Sequence, residues 1–133
     1  MSVFPAEDME MTRLLVVSDV AASRQWYEEV LGAHVHSEYE SACVLSLLGG
    51  WLLLVAAGGP TEDKPTVTMA PPEDADRVSA ELIFRVRDCR GAYETLRTRG
   101  AHFLTPPVDR GYEIRAFFRD PDGHLFEISE LVA

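Results

Sequence analysis

The chain carries the same arrangement of apolar and polar positions twice. Residues 12–18 (TRLLVVS) and 81–87 (ELIFRVR) are apolar-rich runs of seven, and both lead into an aspartate, Asp19 or Asp88. Their Val, Ile, Leu and Phe content and their length predict strands. In the second run, period-two alternation puts Glu81, Ile83, Arg85 and Arg87 on one face and Leu82, Phe84 and Val86 on the other. The apolar set is expected to lie under a helix and the charged set to face a ligand. Asp19 and Asp88 can accept the first free helical N–H groups, which predicts helix starts. Val20, Tyr27, Val30 and Leu31 then form one stripe, and Ala92, Tyr93 and Leu96 another. Trp26 and Tyr27 read as helix residues packed on a sheet. Gly32 and Gly100 suit the left-handed position just past a helix, and Ala-His follows each of them.

Each unit then predicts a hairpin. The first is ACVLSLL and WLLLVAA joined at Gly49-Gly50, a favoured two-residue turn. The second is YEIRAFFR and HLFEISE, joined through Asp120-Pro121-Asp122-Gly123. Asp88 follows Asp19 by 69 positions, as Glu81 follows Thr12. The reading is α+β: two tandem βαβββ modules at residues 12–56 and 81–133. An N-terminal tail (1–11) precedes them, and a connecting segment rich in Pro, Gly and acid (57–80) joins them. Aligning Gly50 with Gly123 sets Leu54 opposite Glu127. It also puts Leu52, Leu54 and Ala56 on the ligand side with Thr12, Leu14 and Val16. Whether Arg115 and Arg119 share the face of Glu127 depends on the length of the second loop, which the sequence leaves open.

With 133 residues, one domain is expected. Apolar residues make up 47% of the chain, yet no run approaches the ~20 residues needed to cross a bilayer. The net charge of −10 and the absence of a basic cluster argue against nucleic acid and anionic membranes as partners. The acidic beginning lacks the basic stretch of a secretion signal, and a cytoplasmic location is expected. Cys43 and Cys89 lie in a chain expected in the cytoplasm, so a disulfide is not expected, and they show no CxxC metal spacing. Cys89 follows a helix start where a thiolate could be favoured, but a small buried hydrophobe is the plainer reading.

One residue resists the ordinary description. Glu127 stands among Leu125, Phe126 and Ile128. A carboxylate on a buried surface must be paired, protonated or bound to a cation.

Val17-Ser18-Asp19 with Trp26-Tyr27-Glu28-Glu29-Val30-Leu31-Gly32, and Asp120-Pro121-Asp122-Gly123-His124 with Phe126-Glu127-Ile128, resemble the vicinal oxygen chelate superfamily. Glyoxalase I, bleomycin-resistance proteins, fosfomycin-resistance enzymes and extradiol dioxygenases belong to it. With the duplication, the resemblance covers residues 12–131. It implies two modules whose curved mixed sheets enclose a cavity, a small-molecule ligand and a homodimer. In metal-using members it implies four ligand positions, which correspond here to Thr12, Leu54, Glu81 and Glu127. Two of these can ligate strongly. Glu81 and Glu127 are thus the candidate ligands for Ni, Zn, Mn or Fe, and Glu127 is the candidate catalytic residue. Thr12 offers a weak hydroxyl, Leu54 offers nothing, and Glu10 is a possible substitute. His34, His36, His102 and His124 fall at other positions, with His124 expected to be exposed.

Arg85 suits the acid end of a ligand. Trp51 and Tyr112 are candidate stacking residues. If Glu81 and Glu127 meet without a cation, one pKa should rise and a proton could be shared. Two functions therefore stand side by side. One is a binding protein for a drug-like or aromatic ligand. The other is a metal-dependent lyase, isomerase or dioxygenase using Glu81 and Glu127.

Overall fold

A computed structural model of the chain describes residues 2–132. The first half contains β1 (Thr12–Val17), α1 (Val20–Leu31), β2 (His34–Glu38), β3 (Ala42–Leu47) and β4 (Gly50–Ala56). The second contains β5 (Leu82–Arg85), α2 (Cys89–Thr98), the short β6 (His102–Phe103) and β7 (Val108–Asp109), β8 (Glu113–Arg119) and β9 (Leu125–Leu131). The fold is α+β with two mixed sheets built as tandem modules. Their strand orders are β1-β4-β3-β2 and β5-β9-β8-β6, with β7 also pairing β8. In each sheet the first strand of the module runs parallel to the last.

The expected helix caps form. Asp19 accepts from Ala22 N and Asp88 from Gly91 N. Gly32 takes a left-handed φ of 74°, and its N–H and the next reach back to Glu28 O and Tyr27 O. This closes α1 with the last carbonyls satisfied.

One core unites the modules. Tyr27, Leu45, Leu54, Phe118 and Phe126 are fully buried within it. Trp26 on α1 lies 6.5 Å from both Phe118 and Phe126, and Phe126 stacks on Phe118 at 5.3 Å. The helix-bearing faces of both sheets therefore meet through α1 and α2, and the opposite face of each sheet points outward.

The β8–β9 turn fastens the modules together. Tyr27 donates its hydroxyl to Asp120 Oδ2 at 2.6 Å, and Asp120 Oδ1 accepts from the backbone of Asp122 and His124. Asp122 accepts from Ser18 N at 3.0 Å and from Ser23 Oγ at 3.4 Å. The His124 ring bonds Val16 O at 2.8 Å, and because a carbonyl can only accept, Nε2 carries the proton. His124 is thus partly buried and engaged across the modules, not exposed as expected. Burial raises the Asp120 carboxyl and pushes the Tyr27 phenol up further, helped by the adjacent Asp120 charge.

The first hairpin corrects the sequence reading. Leu47 pairs with Gly50, so the two turn residues are Leu48 and Gly49, not Gly49 and Gly50. Both have positive φ, 51° and 77°, the geometry of a type I′ turn. The second hairpin pairs Arg119 with Leu125 across five residues. Equating Gly50 with Gly123 is therefore off by one, and a one-residue slip exchanges the faces of a strand. Leu54 and Leu52 point into the core, while Trp51, Leu53 and Val55 occupy the outer face. Leu54 is fully buried and cannot contact a ligand on that face.

Candidate functional site

The outer face of the second sheet gathers three of the candidate residues, Glu81, Arg85 and Glu127. β5 alternates as predicted, with Leu82, Phe84 and Val86 packed against the core. Ile83 and Arg85 are left on the outer side, and Glu81 precedes them with the same parity. Glu127 on β9 lies between Ile83 and Phe117 in the strand register. Ser129 lies in the same way between Arg85 and Arg115. The second loop thus places Arg115 and Phe117 on the face of Glu127, while Ala116 and Phe118 enter the core. Arg119 shares the outer parity but turns to Asp76, which it meets at 2.6 Å.

Glu127 is 5% exposed. Burial, then a side-chain hydrogen bond with Glu81 and the charge of Glu81, raise its pKa to about 7, with Arg115 pulling the other way. The pair therefore holds one proton near neutrality, which answers how a carboxyl survives at this position. Beside it lies a second network. Ser129 Oγ donates to Glu113 Oε2 at 2.7 Å, and Arg85 donates to Ser129 Oγ at 2.7 Å. Arg115 meets Glu113 Oε1 at 3.1 Å. Glu113 is buried and held below the usual carboxylate range, first by the Ser129 hydrogen bond and then by Arg115. One carboxyl of this face thus holds its proton up to about pH 7, while its neighbour is held ionised.

Glu113 was not singled out from the sequence. Glu113 follows an exposed Tyr112 and reads as a strand-edge charge until its partners on β5 and β9 are known. Tyr112 itself is 62% exposed at the far end of β8.

The first sheet presents different chemistry outward. Thr12, Trp51 and Leu53 line an open groove of about 420 Å³ with His36, Tyr39 and Val44. Trp51 donates its indole N–H to Glu10 Oε2 at 2.6 Å, and the His36 ring meets Trp51 edge-on at 5.2 Å. Glu10 precedes β1 and serves Trp51, away from the Glu81–Glu127 pair. Thr12 and Glu81, aligned by the repeat, sit on different outward faces.

This donor set does not fit a divalent cation. Glu81 and Glu127 supply two carboxylates, and the fourth position is a leucine whether it is counted as Leu54 or as its outer-face neighbour Leu53. Among the described residues no group of three or more His, Cys, Asp or Glu side chains gathers at metal-binding range. Hard and borderline cations want at least three such ligands. Cys89 is fully buried, its thiol directed at Ile128 O, and burial pushes its pKa up, so it is not poised as a thiolate. No helix among the described residues is long and apolar enough to cross a membrane.

Comparison with known proteins agrees with this architecture. The model of the glyoxalase/bleomycin resistance protein/dioxygenase superfamily matches residues 10–128. Biphenyl-2,3-diol 1,2-dioxygenase 3 of Rhodococcus globerulus is 30% identical over 115 residues, covering 86% of this chain and 59% of the enzyme. The chain thus spans about three-fifths of that relative's length. The uncharacterised protein YetH of Bacillus subtilis (strain 168) is 24% identical over 119 residues, 90% of this chain and 95% of YetH. An integron cassette protein from the mobile metagenome of V. cholerae superposes with a TM-score of 0.68 at 26% identity, covering 96% of this chain and 98% of its own. The fosfomycin resistance protein FosX of Listeria monocytogenes superposes with a TM-score of 0.70 at 15% identity, covering 96% of each chain, a likeness of fold.

Proposed function

The chain belongs to the glyoxalase/bleomycin resistance protein/dioxygenase superfamily, and from that premise we propose that it binds a small aromatic or drug-like molecule against the outer faces of its sheets. The observation that carries this reading is the Glu81–Glu127 pair, which retains a proton up to about pH 7 beside Arg85 and Arg115. A protonated carboxyl donates a hydrogen bond. In the free protein that donor is turned to Glu81; a ketone, ether or phenol oxygen of a ligand can take Glu81's place as acceptor, with Ile83 and Phe117 beneath the ligand's apolar body. Such a role explains why both carboxyls are present without a third metal ligand.

A homodimer belongs to the same proposal. Leu14 and Ile83 are 37% and 51% exposed on the outer faces, and apposing two copies would cover them and enclose the ligand. Sedimentation equilibrium at micromolar concentration checks this, and a monomer would remove the enclosing surface. The free, buried Cys43 and Cys89 suit a reducing compartment such as the cytoplasm.

The deciding experiment screens aromatic compounds bearing oxygen acceptors by thermal shift, then follows the best one by calorimetry from pH 5 to 9. Affinity should fall as pH rises through about 7, where Glu127 ionises. In Glu127→Gln, whose amide keeps a donor, it should be independent of pH. The same protein is titrated with nickel, zinc, manganese and iron(II). Stoichiometric micromolar binding that Glu127→Gln abolishes would overturn the proposal in favour of a metal-dependent enzyme.

A further inference from the structure

The groove on the first sheet has a charge character that the carboxyl pair does not explain. Two hollows, of about 450 and 420 Å³, share Glu10 and Trp51, and neither is lined by Lys or Arg. Glu10 is the acidic residue of both linings. Its Oε2 accepts the Trp51 indole N–H, while Oε1 has no hydrogen-bond partner among the described residues. His36 and Tyr39 bring two further rings beside Trp51, and Val44 and Leu53 form an apolar floor. Aromatic faces attract cations through the ring quadrupole, most strongly on tryptophan, and a neighbouring carboxylate adds a direct charge. An anion would meet Glu10 with nothing to offset it, in a chain whose net charge is −10.

We propose that the outer face of the first sheet is a site for an organic ammonium cation on a flat apolar body, with the cation against Glu10 and Trp51 and the body over Val44 and Leu53. This rests on the reading that the outer faces take small molecules, and it adds the charge class of the ligand. The donor in Trp51 is already committed to Glu10, so the pair presents a ring face and a carboxylate oxygen. Neither needs a donor from the ligand, which favours a fully alkylated ammonium as much as a primary one.

Three soluble probes of one size test it: benzyltrimethylammonium, benzyl alcohol and benzoate. They are titrated at pH 8 and constant ionic strength while the Trp51 indole and the Val44 and Leu53 amides are followed by NMR. The cation should shift these resonances with a Kd about tenfold below that of the alcohol, and benzoate should leave them unmoved. Glu10→Gln should bring the cation to the level of the alcohol. Its amide oxygen can still accept from Trp51, and Glu10 is exposed, so the fold is not at risk. Trp51→Leu should weaken the cation and leave the effect of Glu10→Gln smaller. Equal binding of cation and alcohol, or no change in Glu10→Gln, would overturn the inference while leaving a ligand site in place. No shift with any probe would overturn both the inference and the ligand reading of this face.

Discussion

Leu53 and Glu127 hold the same place in the two sheets. Each lies on the last strand of its module, beside Leu14 or Ile83 of the parallel first strand, and each points outward. One is an alkyl side chain over an aromatic groove. The other is a carboxyl that retains a proton to about pH 7. One residue along, Leu54 and Ile128 both enter the common core. The contrast separates two kinds of constraint. Inward positions answer to a shared interior, which accepts only apolar groups of suitable shape. Outward positions answer to whatever approaches them, so a repeated framework can carry unlike chemistry on its two halves.

Moving the charge by one position along β4 should have the largest effect. Leu54→Glu should unfold the protein, because an unpaired carboxylate in the core costs more than the roughly 5–15 kcal/mol that holds a domain together allows for comfortably. Leu53→Glu should fold, with a melting temperature within a few degrees of the parent. Circular dichroism melts of the two variants check the register directly, and similar behaviour of both would refute it.

The clasp between the modules should give the next largest effect. Tyr27→Phe removes the donor to Asp120 and leaves a buried carboxylate short of one partner. A loss of about 1–3 kcal/mol in urea unfolding is expected. An unchanged midpoint would make the clasp incidental.

Glu127 should act in the opposite direction. Its pKa of about 7 in the fold exceeds the ordinary 4.5, so between these values the folded chain keeps a proton that the unfolded chain releases. This contribution to stability is complete below about pH 4.5 and is lost as pH rises through 7. Glu127→Gln should remove that slope and stabilise the protein at pH 8 by roughly 1–3 kcal/mol. Parallel stability curves for the two proteins between pH 5 and 8 would count against the shared proton.

The smallest effect belongs to the first turn. Leu48 is 77% exposed and held at φ 51°, a region that asparagine enters more readily than leucine. Leu48→Asn should raise stability by about 0.5–1 kcal/mol. A lower urea midpoint would show that the leucine side chain earns its place by contact.

How far the residues alone foretold these features depended on whether the cause was local. The caps at Asp19 and Asp88 and the left-handed Gly32 follow from groups a few residues apart, and they formed as expected. The two faces of β5 were legible because alternation starts from an unambiguous apolar set. The faces of β4 were not, because they hang on whether Leu48-Gly49 or Gly49-Gly50 makes the turn. Glycine occupies both 49 and 50, and leucine is an unusual choice at 48, so the sequence pointed to the wrong pair. The roles of Asp120, Asp122 and His124 were hidden for another reason. Their partners lie 93 to 108 positions away, and no local pattern announces such contacts. Glu113 was hidden by shorter contacts, because Ser129 and Arg85 lie on the neighbouring strands β9 and β5.

The joint interior also sets an order of events during synthesis. Trp26 and Tyr27 emerge early, yet the rings they lie against include Phe126, about 100 residues later. At ordinary translation speeds of about 5–20 residues per second, that interval is roughly 5–20 s. Through it the first half carries an uncovered aromatic face that its own sheet cannot hide. The nascent chain is therefore most open to chaperones and to faulty pairing in the stretch before the second hairpin is complete.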